Sequence, residues 1–137
     1  MQYYQTKSGK IPGANFKDVY KIARKLYAGI KKRGKRSPHI RSAYFNNQKV
    51  FLQYFWGHLY AKKNWKDRLR RIRYFKAALE LIEKTKIQPE SKENPNNRRE
   101  IFHRFTAYTS EKEAFCVQIK EDKKSGQKHF ISVFPKE

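Results

Sequence analysis

RREIFHRFTAYTSEKEAFCVQIKEDKKSGQKHFISVFP, residues 98–135, decides the fold class. Apolar and polar residues alternate in three short runs, 101–108, 114–121 and 128–134, which predicts three strands. The segments between them, 109–113 and 122–127, carry turn chemistry, with Ser125-Gly126 in the second. Side chains alternate across a strand, so each run has two faces. Strict alternation puts Arg104, Thr106, Gln118, Lys120 and Ser132 on one face. It puts His103, Phe105, Ala107, Phe115, Val117, Ile119, His129, Ile131 and Val133 on the other, the core face, with Phe130 and Phe134 flanking Ser132 on its own side. A sheet face holding Arg, Lys and Ser together suits a phosphate. A solvated outer face of an antiparallel sheet has the same pattern.

Upstream, the chain reads as helices. Residues 1–13 are polar with two Gly-containing breaks, a loose lead-in. Asn15 can cap a helix with Asp18 in its first turn, and Phe16, Val19, Tyr20, Ala23, Leu26, Tyr27 and Ile30 recur at helical spacing. Arg33, Lys35 and Arg36 crowd its end as a basic cluster suited to phosphates. Asn46-Asn47-Gln48 lies between two short apolar runs. Asn tolerates the left-handed backbone of tight turns, so a small β-hairpin is expected here, with a continuous helix as the alternative. A short helix over 53–62 follows, carrying His58. Asn64 caps a longer one over 65–84, with Trp65, Leu69, Ile72, Phe75, Leu79 and Ile82 as its apolar stripe. Residues 87–97, with two prolines and three asparagines, read as an irregular connection. The whole predicts a single α+β domain with N-terminal helices followed by an antiparallel sheet.

Lys and Arg number 33 against 12 Asp and Glu in 137 residues, a net charge of +21. Aromatics at 15% separate the chain from disordered polybasic segments, which lack them. A folded, aromatic, strongly basic domain of this size points to nucleic acid as the partner. No apolar run suits a membrane span or signal peptide, and the single Cys116 fits a cytoplasmic protein. The four histidines and one cysteine show no metal-ligand spacing, and no carboxylate cluster suits a metal-dependent nuclease, so no metal or cofactor is expected. RNA can be cut without a metal, because its 2′-hydroxyl attacks the adjacent phosphate once a base removes the proton. Arg33, Lys35, Arg36, Arg41, Lys62, Lys63, Arg68 and Arg71 are the candidate RNA contacts. Two other classes fit the same charge: a non-catalytic nucleic-acid-binding protein of a mobile element, stacking bases on Trp56, Trp65 and tyrosines, and a basic protein docking on an acidic partner.

SPHIRSAYFNNQKVFL (37–52), YFWGHLYAKK (54–63), ALELIEKTKIQPE (78–90), HRFTAY (103–108), FCVQIKED (115–122) and FISVFP (130–135) together resemble the phage and plasmid branch of the barnase/EndoU/colicin/RelE-like ribonuclease superfamily. The resemblance implies a helix-plus-four-stranded-sheet nuclease-like α+β domain over 37–137, with residues 1–36 as a basic helical extension. It also implies metal-independent cleavage of RNA by a toxin, restrained by an acidic antitoxin or immunity protein. By position, His58 becomes the helix histidine, Arg104 the first-strand cation, Lys120 the second-strand cation and Ser132 the last-strand hydroxyl. The chain departs from the pattern twice. Lys62-Lys63-Asn64 stands where an Arg-His pair is common, and Ser132 where Thr is common. His39 is a reserve general base. His103 and His129, on the expected core face, rank lower than these site residues.

Overall fold

Asn15 starts the first helix, its side chain accepting the Asp18 N–H at 3.0 Å, a cap of the kind worth about 1 kcal/mol. In this computed structural model, which describes residues 3–34 and 36–136, that helix is α1 (Phe16–Lys32) and buries Val19, Ala23, Tyr27 and Ile30. A two-residue strand β1 (Tyr4–Gln5) precedes it. The hairpin follows as β2 (His39–Ser42) and β3 (Gln48–Phe51). Asn46 and Asn47 hold its turn at φ 56° and 63°, the left-handed conformation for which asparagine suits. Then come α2 (Tyr54–Tyr60), α3 (Trp65–Ile72) and α4 (Phe75–Lys84), and β4 (Glu90–Asn94), β5 (Asn97–Tyr108), β6 (Ala114–Asp122) and β7 (Lys128–Pro135).

The sheet corrects the expectation of helices followed by a four-stranded antiparallel sheet. It is a curled, seven-stranded mixed sheet in the order β1-β5-β6-β7-β3-β2, with β4 also on β5. β5–β6–β7 form the antiparallel centre. β1 joins β5, and β3 joins β7, in parallel. The physical reason is that alternation signals local hairpins, whereas a parallel pairing between distant segments needs only two matched residues at each contact. Tyr4 and Gln5 meet Ala107 and Tyr108, and Val50 and Phe51 meet Lys128 and His129.

Two further elements depart from the sequence reading. Residues 87–97 contain β4, antiparallel to β5, whose side chains are nearly all exposed and so carry no apolar alternation. The single helix expected over 65–84 is broken. The Ile11 N–H takes the carbonyl of Arg73 at 2.7 Å, and the Arg73 guanidinium donates to the carbonyls of Ile11 and Gly13 at 3.4 and 2.7 Å. The lead-in thus claims the carbonyl that a continuous helix would use. It is itself fastened by Glu80 of α4, which accepts from Lys7 N, Ser8 N and Ser8 Oγ at 2.7, 3.0 and 2.9 Å.

One hydrophobic cluster joins α1, α2, α4 and the inner sheet face. Phe130 of β7 is fully buried and stacks on Phe55 of α2, with ring centroids 4.8 Å apart and 8° between planes. Among the described residues, no helix is long and apolar enough to cross a membrane.

Candidate functional site

β3 pairs with β7 only at Lys128 and His129. Beyond that point α2 and α3 pack against β7 in place of a strand. Their side chains therefore reach over the outer, polar face of β5–β6–β7. The result is a cleft of about 490 Å³. Its floor is Arg104, Gln118, Lys120 and Ser132, set between the apolar groups Phe102, Ile131 and Phe134. Its opposite wall is His58 of α2, Lys62 just after that helix, and Arg71 of α3. The four residues singled out for chemistry, His58, Arg104, Lys120 and Ser132, thus line one cavity.

Register explains the floor. Arg104 lies opposite Gln118, and Gln118 opposite Ser132, while Phe102, Lys120 and His129 form the next row. Between these rows β7 carries a β-bulge: Ile119 pairs with Phe130 and Gln118 with Ser132, leaving Ile131 as the extra residue. The bulge reverses the expected facing of half the strand. Phe130 goes to the core and His129 joins the face of Lys120 and Ser132, whereas unbroken alternation assigns His129 to the core. His129 is the functional candidate that alternation misplaces.

Hydrogen bonds and charges order the cleft. Arg71 Nη1 donates to Ser132 Oγ at 2.9 Å, and Arg71 Nε to Asp67 at 3.2 Å. Burial pushes the Asp67 carboxyl up, but Arg71 and Arg70 more than offset this and hold it below its usual value. The guanidinium carbons of Arg71 and Arg104 lie 5.6 and 5.5 Å from the Phe134 ring centroid, so two cations converge on one aromatic ring. Lys120 Nζ stands 3.3 Å from Glu100 Oε2 and 5.7 Å from the Tyr54 ring. The Glu100 carboxyl is held below its usual value by the Asn94 amide and by Lys120.

Lys120 connects this cleft to a second one of about 320 Å³ that Tyr54, Glu100, Lys120 and His129 line. The His129 ring stacks on Tyr54 at 4.5 Å, and its Nδ1 is buried without a partner among the described residues. Partial burial and then the Lys120 charge lower the pKa of both His58 and His129, with Lys62 adding to the effect at His58. Both imidazoles are thus biased to the neutral form that can accept a proton at neutral pH.

The other candidates are dispersed. Lys62 and Arg71 belong to the central cleft. Arg68 is structural: it donates to the carbonyls of Lys62 and Tyr60 at 2.6 and 2.8 Å, closing the end of α2. Arg41 donates to the Asn47 carbonyl at 2.9 Å and braces the hairpin turn. Arg33 and Arg36 line a separate small cleft with His39, whose Nδ1 lies 3.0 Å from the Ser37 carbonyl oxygen. Lys63 is exposed and lines none of these clefts, and Lys35 lies outside the described residues. His103 is buried on the inner face, between Ser91 Oγ and Glu121 Oε1 at 2.7 Å each, where it ties β4, β5 and β6 together. Cys116 is buried beside Thr106.

Among the described residues no group of three or more His, Cys, Asp or Glu side chains is placed to hold a metal ion. No family model, curated protein or solved structure matches the chain.

Proposed function

We propose that the chain is a metal-independent endoribonuclease that acts as a toxin. The observation that carries this is the convergence of His58, Lys120, Arg104, Arg71 and Ser132 around one cleft of a protein with net charge +21. The resemblance of residues 37–135 to the barnase/EndoU/colicin/RelE-like ribonucleases supports the same reading.

In the reaction, a neutral imidazole, His58, takes the proton of a ribose 2′-hydroxyl. The 2′-oxygen attacks the adjacent phosphorus and the bond to the 5′-oxygen breaks. His129, the second imidazole beside Lys120, gives a proton to that leaving oxygen from its protonated fraction, while His58 holds the one it took. Lys120 and Arg104 face the charge that builds on the phosphorane, and Ser132, oriented by Arg71, donates to a phosphate oxygen. The products are a 2′,3′-cyclic phosphate and a 5′-hydroxyl end. An acidic antitoxin or immunity protein covering this basic face would restrain the activity in the cell that makes it.

The test is RNA incubated with purified protein in excess EDTA and read for 2′,3′-cyclic phosphate ends. Cleavage should persist in EDTA and fall by roughly two to four orders of magnitude in His58→Ala, the usual cost of losing a proton-transfer group. Cleavage that EDTA abolishes, or that His58→Ala leaves intact, removes this mechanism. Binding without cleavage of any RNA, with or without ribosomes, makes the chain a nucleic-acid-binding protein instead.

A further inference from the structure

Trp65, the first residue of α3, is 56% exposed, although it starts the apolar stripe of its helix. An exposed tryptophan on a chain this basic calls for an occupant. It borders a cleft of about 550 Å³ with Leu69, Tyr74 and Pro135 as apolar walls and Lys10, Lys66, Arg70 and Arg73 as a cationic rim. Part of that rim charge is compensated: Lys10 pairs with Glu113 at 2.8 Å and Arg70 with Asp67 at 3.3 Å. Lys66 Nζ lies 5.9 Å from the Trp65 ring centroid, and Arg73 donates to the neutral carbonyls of Ile11 and Gly13, so among the described residues neither is paired with a carboxylate.

This cleft is linked to the candidate active site by a chain of adjoining clefts. It shares Arg70 and Pro135 with a neighbouring cleft of about 460 Å³. That one shares Arg71, Arg104 and Phe134 with the central cleft, which in turn shares Glu100 and Lys120 with the cleft of Tyr54 and His129. Cations and aromatic rings, with Glu90, Glu100 and Asp122 among them, therefore line this series of adjoining clefts. β7 runs beneath these clefts from His129 to Pro135, seven residues and six steps, or about 20 Å at roughly 3.3 Å per step. That length holds several nucleotides. A positively charged groove punctuated by exposed aromatic faces is how proteins hold single strands, whose unpaired bases are free to stack.

We propose that single-stranded RNA lies along these four clefts and that Trp65 stacks on an unpaired base several nucleotides from the bond to be cut, with Lys66 and Arg73 on the neighbouring phosphate. The proposal rests on the reading of this face as an RNA site. It adds a substrate class, extended single strand over duplex, and a remote subsite.

The experiment uses fluorescein-labelled 2′-O-methyl RNA, which lacks the attacking hydroxyl. An octamer, a dimer and an eight-base-pair duplex are titrated by anisotropy against the wild-type chain, Trp65→Ala and Trp65→Phe at fixed salt. Thermal melting confirms that the variants fold, as expected for an exposed position. The octamer should bind Trp65→Ala about 5- to 150-fold more weakly, the equivalent of the ~1–3 kcal/mol that a stacked base contributes. Trp65→Phe should restore most of the affinity. The dimer should bind all three alike, and the duplex should bind more weakly than the octamer. In parallel, cleavage of an unmodified octamer by Trp65→Ala should show a raised KM at unchanged kcat, with dinucleotide cleavage untouched. Equal octamer binding by Trp65→Ala and wild type, or a preference for the duplex, overturns the proposal even if RNA is cut. Trp65-dependent binding with no cleavage leaves the track standing and removes the ribonuclease reading.

Discussion

Lys120→Met separates the electrostatics of the cleft from its packing. Methionine keeps most of the lysine stem and removes the ammonium that faces Glu100 at 3.3 Å and the Tyr54 ring at 5.7 Å. The Lys120 and Glu100 side chains are 26% and 23% exposed. A pair this accessible contributes roughly 0.2–1 kcal/mol, against a total of about 5–15 kcal/mol for an ordinary domain. The variant should therefore fold. Its rate should not survive: losing one preorganised donor to the developing charge costs about 10²–10³ in kcat. The pH profile gives an independent readout. Lys120 lowers the pKa of both His58 and His129, so its removal makes each easier to protonate. The acid limb, set by the imidazole that must be neutral, moves to higher pH. The alkaline limb, set by the imidazole that must be protonated, moves the same way. The residual bell should shift as a whole toward alkaline pH, with the two histidine ring-proton NMR titrations shifting alongside it. A loss below tenfold with both titrations unmoved would refute the assignment of Lys120 to the chemistry.

Stability should rise with pH below the ordinary histidine value of about 6.5. The folded state lowers both imidazole pKa values, so between those values and 6.5 the unfolded chain binds more protons and acid favours unfolding. Melting temperatures from pH 5 to 7 should climb, and His129→Gln should flatten the climb more than His58→Gln, because His58 is the more exposed. Glu80→Gln should cost about 1–3 kcal/mol by weakening the bonds to Lys7, Ser8 and Tyr4. Urea unfolding measures this. Burial alone would raise the Glu80 carboxyl, yet those donors hold it below its usual 4.5. Its contribution is therefore full above that value and lost as pH falls through the depressed one. An unchanged urea midpoint for Glu80→Gln would mean that the N-terminal strap is not fastened there.

Local chemistry was legible in the chain and long-range pairing was not. Asn15 and Asn64 cap helices because a short side-chain carbonyl reaches the next turn's N–H groups, at 3.0 Å to Asp18 and 2.9 Å to Lys66. Asn46-Asn47 builds a hairpin because both residues accept positive φ. β1 is two residues long and β4 is Glu-Ser-Lys-Glu-Asn, so neither has an apolar period to find. The break between α3 and α4 leaves no mark either, since the apolar stripe runs through it. Its cause, the Ile11 N–H on the Arg73 carbonyl, lies about sixty positions away in the chain.

The site turns on the bulge at Ile131. With period two, one inserted residue changes the face of everything on one side of it. Ser132 and Phe134 keep the facing that alternation assigns to them, while Phe130 and His129 exchange theirs. The exchange is favourable on both counts. Phe130 gains the stack on Phe55 and full burial, which an aromatic ring rewards, and His129 leaves a core that would penalise its charged form. Alternation cannot anticipate this, because Phe-Ile-Ser-Val-Phe satisfies either register. The difference lies in the size of the mate: an unbroken core row would set Ile131 against Ile119, whereas skipping Ile131 sets the larger Phe130 there, fully buried and stacked on Phe55. Arg71, bonded to Ser132 from a different element, anchors the strand just beyond the insertion. The same packing requirement that closes the core therefore brings a second imidazole to Lys120, and the proposed chemistry depends on a feature whose origin lies in the hydrophobic row behind it.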